Sequence, residues 1–215
     1  MRLSRNSLRG DRNDSDSFTD LLWNLLVPFI VLLIIVLPHL NPKASIESED
    51  AHPPGNILFE LRWPDHYQSD VDMWVSGPPG PQSGMVVGYS RKSVPLLNYL
   101  RDDLGKTSDV TDINAEQVYS RGVVPGEYCV NAVLFRHKKG DPLPIERVVV
   151  EIRMKKTPEA TMVQVLEPRV ISLSFPKEEK TVACFTLDKN GDLVRDSITN
   201  FPVRLYRPSG SSYGE

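Results

Sequence analysis

The chain has 215 residues, enough for one ordinary domain plus an appendage. Its formal net charge of -3 argues against nucleic-acid binding by bulk electrostatics. The 18 prolines and 13 glycines, set among many Val, Ile and Tyr, suit a turn-rich β domain better than a helical one.

Residues 1–16 are polar and charged, with no apolar period, and read as a cytoplasmic tail. Residues 17–40 read as a transmembrane helix. Their core, Leu21 to Leu37, is LLWNLLVPFIVLLIIVL with no charge inside it. That run rises ~25 Å as a helix. This is slightly short of a ~30 Å hydrocarbon core, and Phe18 and Pro38-His39-Leu40 extend it at either end. Arg2, Arg5, Arg9 and Arg12 precede the helix, whereas Lys43 is followed by Glu47, Glu49 and Asp50. The Arg excess puts the N-terminus in the cytoplasm and the rest of the chain outside. The competing reading is a cleaved signal peptide. The length of the apolar run, the long and partly acidic N-tail and the poor cleavage site at Pro42-Lys43-Ala44-Ser45 argue against it.

Asp20 stands at the doorstep of the run, and Asn24, four residues on, shares its helix face. Two roles compete for Asp20. Ser17-x-x-Asp20 has the form of a capping box, with an acid in the first turn. Alternatively, a carboxylate at the membrane edge with a polar neighbour on its face is an ion-carrying group, and this second role is favoured. Trp23 reads as an interfacial anchor. Pro28 removes one helix hydrogen bond, which a membrane helix tolerates beside protein neighbours.

Residues 41–56 read as an extended linker ending in Pro53-Pro54-Gly55. Strand patterns follow at 57–63, 71–77, 85–90, 117–121, 126–136, 147–155, 161–167, 170–175, 181–188 and 203–207. In the second, Val71, Met73 and Val75 share a face opposite Asp72 and Trp74. In the fifth, Tyr128, Val130, Ala132 and Leu134 alternate with Cys129, Asn131, Val133 and Phe135. Asn190-Gly191 signals a type I′ hairpin between Leu187 and Leu193. Residues 94–115 read as a long loop with one helical turn around Leu96–Leu100. The fold class is therefore mainly β: one N-terminal transmembrane helix, then an antiparallel β-sandwich outer domain over 57–155. Residues 156–215 add strands to the same sandwich or form a small second sheet, and PSGSSYGE is a frayed end.

Asp70 and Asp72 point the same way from a strand start. With Asp109 and Asp112 they are candidate ligands of an oxygen-only site for a hard cation such as calcium. The competing reading, which the residues favour, is that they cap and solvate the strand end. Asp188 to Asp192 lacks the glycine position and later Glu of a calcium loop, and a hairpin turn explains it better. Cys129 and Cys184, both on the outer side, are either a disulfide or two buried thiols. His39, His52, His66 and His137 have no metal-ligand spacing, and no nucleophile or phosphate motif appears, so the chain reads as a non-enzyme without a cofactor.

The segment Ser17-Phe18-Thr19-Asp20-Leu21-Leu22-Trp23-Asn24 and the apolar residues after it resemble the membrane segment of the ExbD/TolR and MotB stator proteins. The sequence departs from that pattern at Pro28 and in its large outer domain. The resemblance implies a homodimer in the bacterial inner membrane. Its helices would thread a pentameric MotA/TolQ/ExbB-like ring and couple proton or sodium flow at Asp20 to work on a periplasmic target. The alternative is a membrane-anchored periplasmic binding or adaptor module with the helix only a tether. In the outer domain, Asp70-Val71-Asp72-Met73-Trp74-Val75, Asp109-Val110-Thr111 and Pro125-Gly126-Glu127-Tyr128-Cys129-Val130 resemble the YfaP-type β-sandwich modules, which implies the fold of 57–155.

Overall fold

A computed structural model describes residues 13–40, 55–105 and 112–207, with side chains in the first stretch described for 18–33. The tail over 1–12, the linker over 41–54, Asp109 within 106–111 and the end over 208–215 lie outside the described residues. The chain divides into two units, Met1–Ala51 and His52–Glu215.

The first unit contains α1 (Asn13–Leu40), 28 residues. Its rise is ~42 Å at 1.5 Å per residue. Every side chain described in it, from Phe18 to Leu33, is exposed. Among the described residues, no helix is long and apolar enough to cross a membrane; the stretch 18–33 by itself rises only ~24 Å.

The second unit is two five-stranded antiparallel sheets around one core. The first sheet runs β4 (Leu97–Arg101), β5 (Ala115–Ser120), β1 (Ile57–Arg62), β7 (Ile145–Met154), β8 (Val163–Leu173). The second runs β10 (Leu193–Thr199), β9 (Glu179–Leu187), β6 (Gly126–Arg136), β2 (Asp70–Ser76), β3 (Val86–Val87). The period-two alternation of side chains decides which residues meet in the middle. Phe59 and Leu61 of β1, Val118 of β5 and Val148, Val150 and Ile152 of β7 face Val71, Met73 and Val75 of β2 and Tyr128, Val130, Ala132 and Leu134 of β6. Residues of the opposite parity build a second, smaller cluster on the far side of the second sheet: Trp74, Val86, Cys129, Val133, Cys184 and Leu205.

Several expectations from sequence are corrected. Residues 97–101 form strand β4 rather than a helical turn, because Leu97 and Tyr99 alternate into the core while β4 pairs with β5. The two runs at 161–167 and 170–175 are one strand, β8, through Pro168. β8 is an edge strand, so the missing N–H of Pro168 costs no central ladder bond, and the register shifts opposite it between Val150 and Ile152. The residues from 203 to 207 form no ladder. Val203 is held by Thr181 and Asn131, and the Leu205 and Tyr206 N–H groups donate to Glu179 Oε1, so the segment lies over the far face of the second sheet.

The β9–β10 turn is not type I′ either. Only Gly191 takes positive φ (74°); Asn190 does not. The turn is organised instead by Asp188, whose Oδ1 accepts from Asn190 N and Asp192 N and whose carbonyl accepts from Gly191 N. Strands β8, β9 and β10, all beyond residue 156, extend the same two sheets.

Candidate functional site

Two places set polar groups beside apolar residues. The first is on α1. Asp20 and Asn24 are both exposed, four residues apart and so on one face. The chain is already helical at Asn13, so Ser17 is not the first cap and Asp20 lies beyond the first turn. The capping-box role at Asp20, which requires a helix starting at Ser17, is thereby removed. Pro28 adds to the same spot. Lacking an N–H, it cannot bond the carbonyl four residues back, and that carbonyl belongs to Asn24. A carboxylate, a side-chain amide and a freed carbonyl thus sit at neighbouring levels where the apolar run of α1 begins.

The second place is at one end of the β domain. Asp70 and Asp72 open β2, and each is almost completely buried. Among the described residues, the part of β2 around them has no ladder partner on its outer side, because β3 pairs only with Val75 and Ser76. Glu116 of β5 occupies that edge. It shares the inward face of β5 with Val118, reaches across from the other sheet and accepts hydrogen bonds at Oε2 from Met73 N and from the Tyr99 hydroxyl. Asp102, just after β4, completes the group and pairs with Lys92 Nζ at 2.8 Å. One carboxylate oxygen from each of Asp72, Asp102 and Glu116 lies within 4.8 Å of the other two.

Burial pushes Asp72 up to about 8, reinforced by the neighbouring Asp70 and Asp102 carboxylates and opposed by Lys177 and Arg136. Burial likewise pushes Asp70 up to about 6, although Arg136 Nη2 stands 3.1 Å from its Oδ2. Glu116 is raised well above its usual value, first by burial and then by Asp72. The Tyr99 hydroxyl is raised by burial and by Glu116.

Asp70 and Asp72 therefore do come together, but buried rather than solvating a strand end. Asp112 is exposed, and Asp109 lies outside the described residues. Their places are taken by Asp102 and Glu116, which the sequence reading did not select. The signal for Glu116 was its position two residues before an inward-facing valine, which puts a carboxylate on a core face. Asp102 had no such signal. Its neighbour Asp103 is structural, capping Gly105 N and Ala115 N and pairing with Arg101.

Cys129 and Cys184 face each other across β6 and β9 and are joined, with S–S 2.07 Å. His66 lies against Tyr67, and His137 Nε2 is 3.0 Å from the Asp141 carbonyl oxygen, so both serve local structure. Side chains of His39 and His52 are outside the described residues. No protein-family model matches the chain, and neither a curated protein nor a solved structure matches it.

Proposed function

We propose that the protein is a non-enzymatic, single-span inner-membrane subunit of a proton- or sodium-driven complex. In this reading α1 crosses the membrane through the run Leu21–Leu37, Asp20 carries the ion, and the β domain works in the periplasm. The observation that carries it is the polar station on α1. Asp20 and Asn24 are exposed on one face of α1 where its apolar run begins, and Pro28 leaves the Asn24 carbonyl without its helical donor. Such groups are costly in lipid and are retained where protein neighbours or a passing ion satisfy them.

The arginines of the N-tail support an inward N-terminus. The Cys129–Cys184 disulfide fits a β domain in an oxidising compartment. By resemblance to ExbD/TolR and MotB, the partner is a MotA/TolQ/ExbB-like ring of five multi-span subunits around two copies of this chain. Ion binding and release at Asp20 would change the contacts between helix and ring, and so move one against the other.

The test is to purify the full chain from membranes with whatever binds it and count subunits. The reading requires a multi-span partner, and an Asp20→Asn chain that still assembles but no longer supports ion-driven work. A chain that purifies alone, or keeps full function when α1 is replaced by an unrelated anchor, would mean that the helix is only a tether.

A further inference from the structure

We infer that the β domain binds one hard divalent cation, calcium, between Asp72, Asp102 and Glu116. The inference does not depend on the role of α1. It rests first on convergence. Three carboxylates from β2, from β5 and from the segment after β4 bring one oxygen each to within 4.8 Å of one another. Two oxygens on opposite sides of a calcium ion stand roughly 4.6–5.2 Å apart, twice its usual bond length.

It rests second on what those carboxylates lack. Asp72 Oδ2, Asp102 Oδ1 and Glu116 Oε1 are all shielded from solvent and accept no hydrogen bond. Asp72 is 2% exposed and Glu116 is fully buried. An unpartnered buried carboxylate oxygen is expensive, and three in one place would repel one another as well.

The opposite oxygens are already used as acceptors. Glu116 Oε2 takes Met73 N and the Tyr99 hydroxyl, and Asp102 Oδ2 takes Lys92. The Tyr99 and Met73 bonds favour the ionised form of Glu116 and so oppose the effect of its burial. Within the trio Lys92 pairs with Asp102, while Lys177 and Arg136 act on Asp72. The donor set is all oxygen, which selects a hard ion over zinc or copper. Magnesium keeps several waters, and the near-complete burial of Asp72 and Glu116 leaves little room for them. Calcium, with longer bonds and looser geometry, fits better. A cation there ties the first sheet to the unpaired edge of β2 in the second.

The test uses the full chain in detergent, stripped with EDTA, and equilibrium dialysis against radiocalcium together with thermal unfolding. The inference expects one calcium per chain and a rise in Tm on adding calcium chloride. Both effects should be lost in Asp72→Asn, and in Asp102→Asn, whose half-buried side chain makes folding easier to preserve. Asp112→Asn, which changes an exposed acid outside the trio, should bind like the wild type. Circular dichroism of the metal-free variants checks that the sheets are intact. Failure of the folded wild-type chain to bind calcium would overturn the inference. Undiminished binding by both variants would overturn it too, by placing the ion elsewhere.

Discussion

Asp70 and Asp72 are held at the start of β2 where water cannot solvate their charges, and this makes the metal-free domain sensitive to pH. Both carboxyls titrate above their usual value of 3.8, Asp70 at about 6 and Asp72 at about 8. Between the unfolded and the folded value, the folded state binds more protons than the unfolded state, so stability falls as pH rises. The contribution is complete below about pH 4 and is lost as pH climbs through 6 for Asp70 and 8 for Asp72. Metal-free Tm should therefore decline across that window, and Asp72→Asn should flatten the decline. A Tm that climbs steadily from pH 4 to pH 8 would contradict the burial of these groups. Gly88 makes a second residue-scale prediction. A Cβ there would sit 2.6 Å from Trp74 Cε2, against a ring that is fully buried between Tyr89 and Tyr206. Gly88→Ala should cost ~1–3 kcal/mol, the usual range for overpacking, measured by denaturant unfolding.

Among the elements, β6 does most to organise the domain. One face supplies Tyr128, Val130, Ala132 and Leu134 to the core, and the other places Cys129 opposite Cys184 of β9. The Tyr128 hydroxyl also donates to the Val124 carbonyl at 2.9 Å, fixing the turn into the strand. The disulfide closes a loop of 55 residues, and cross-links of this kind are typically worth ~2–4 kcal/mol. Cys129→Ser with Cys184→Ser should lower the unfolding free energy from denaturant titration by an amount in that range, with a lower midpoint, and a reducing agent should do the same to the wild type. An unchanged midpoint would mean that the paired strands already supply the constraint. At the edge of the first sheet, β8 accommodates Pro168 because no described strand pairs on its outer side.

In the proposed reading, the whole molecule couples a polar station on α1 to a β domain working outside the membrane. Asp20→Asn should retain expression and complex formation, measured by co-purification, while ion-driven output falls to background. Pro28→Ala should return a donor to the Asn24 carbonyl. If Asp20 carries the ion as proposed, output should weaken less than in Asp20→Asn, because the change alters the surroundings of the ion rather than its carrier. Equal loss of assembly in both variants would indicate a packing role instead.

Local pattern was enough to read much of this chain. The charge-free run Leu21–Leu37, the parity of Val71, Met73 and Val75 against Trp74, and the alternation along 126–136 follow from periods of 3.6 and 2 that no distant contact alters. They determined a helix followed by antiparallel β structure and divided inward from outward residues on the main strands. What a residue meets across a sheet depends on pairing order, and tertiary structure alone decided that. It turned 97–101 into a strand by giving it β5 as a partner. It let Pro168 pass through β8 by leaving that strand at an edge, and it set Cys129 against Cys184. Most consequentially, it brought Glu116 from one sheet and Asp102 from a connecting segment to the unpaired edge of β2. A cluster assembled from three distant stretches of chain has no spacing for a sequence to display.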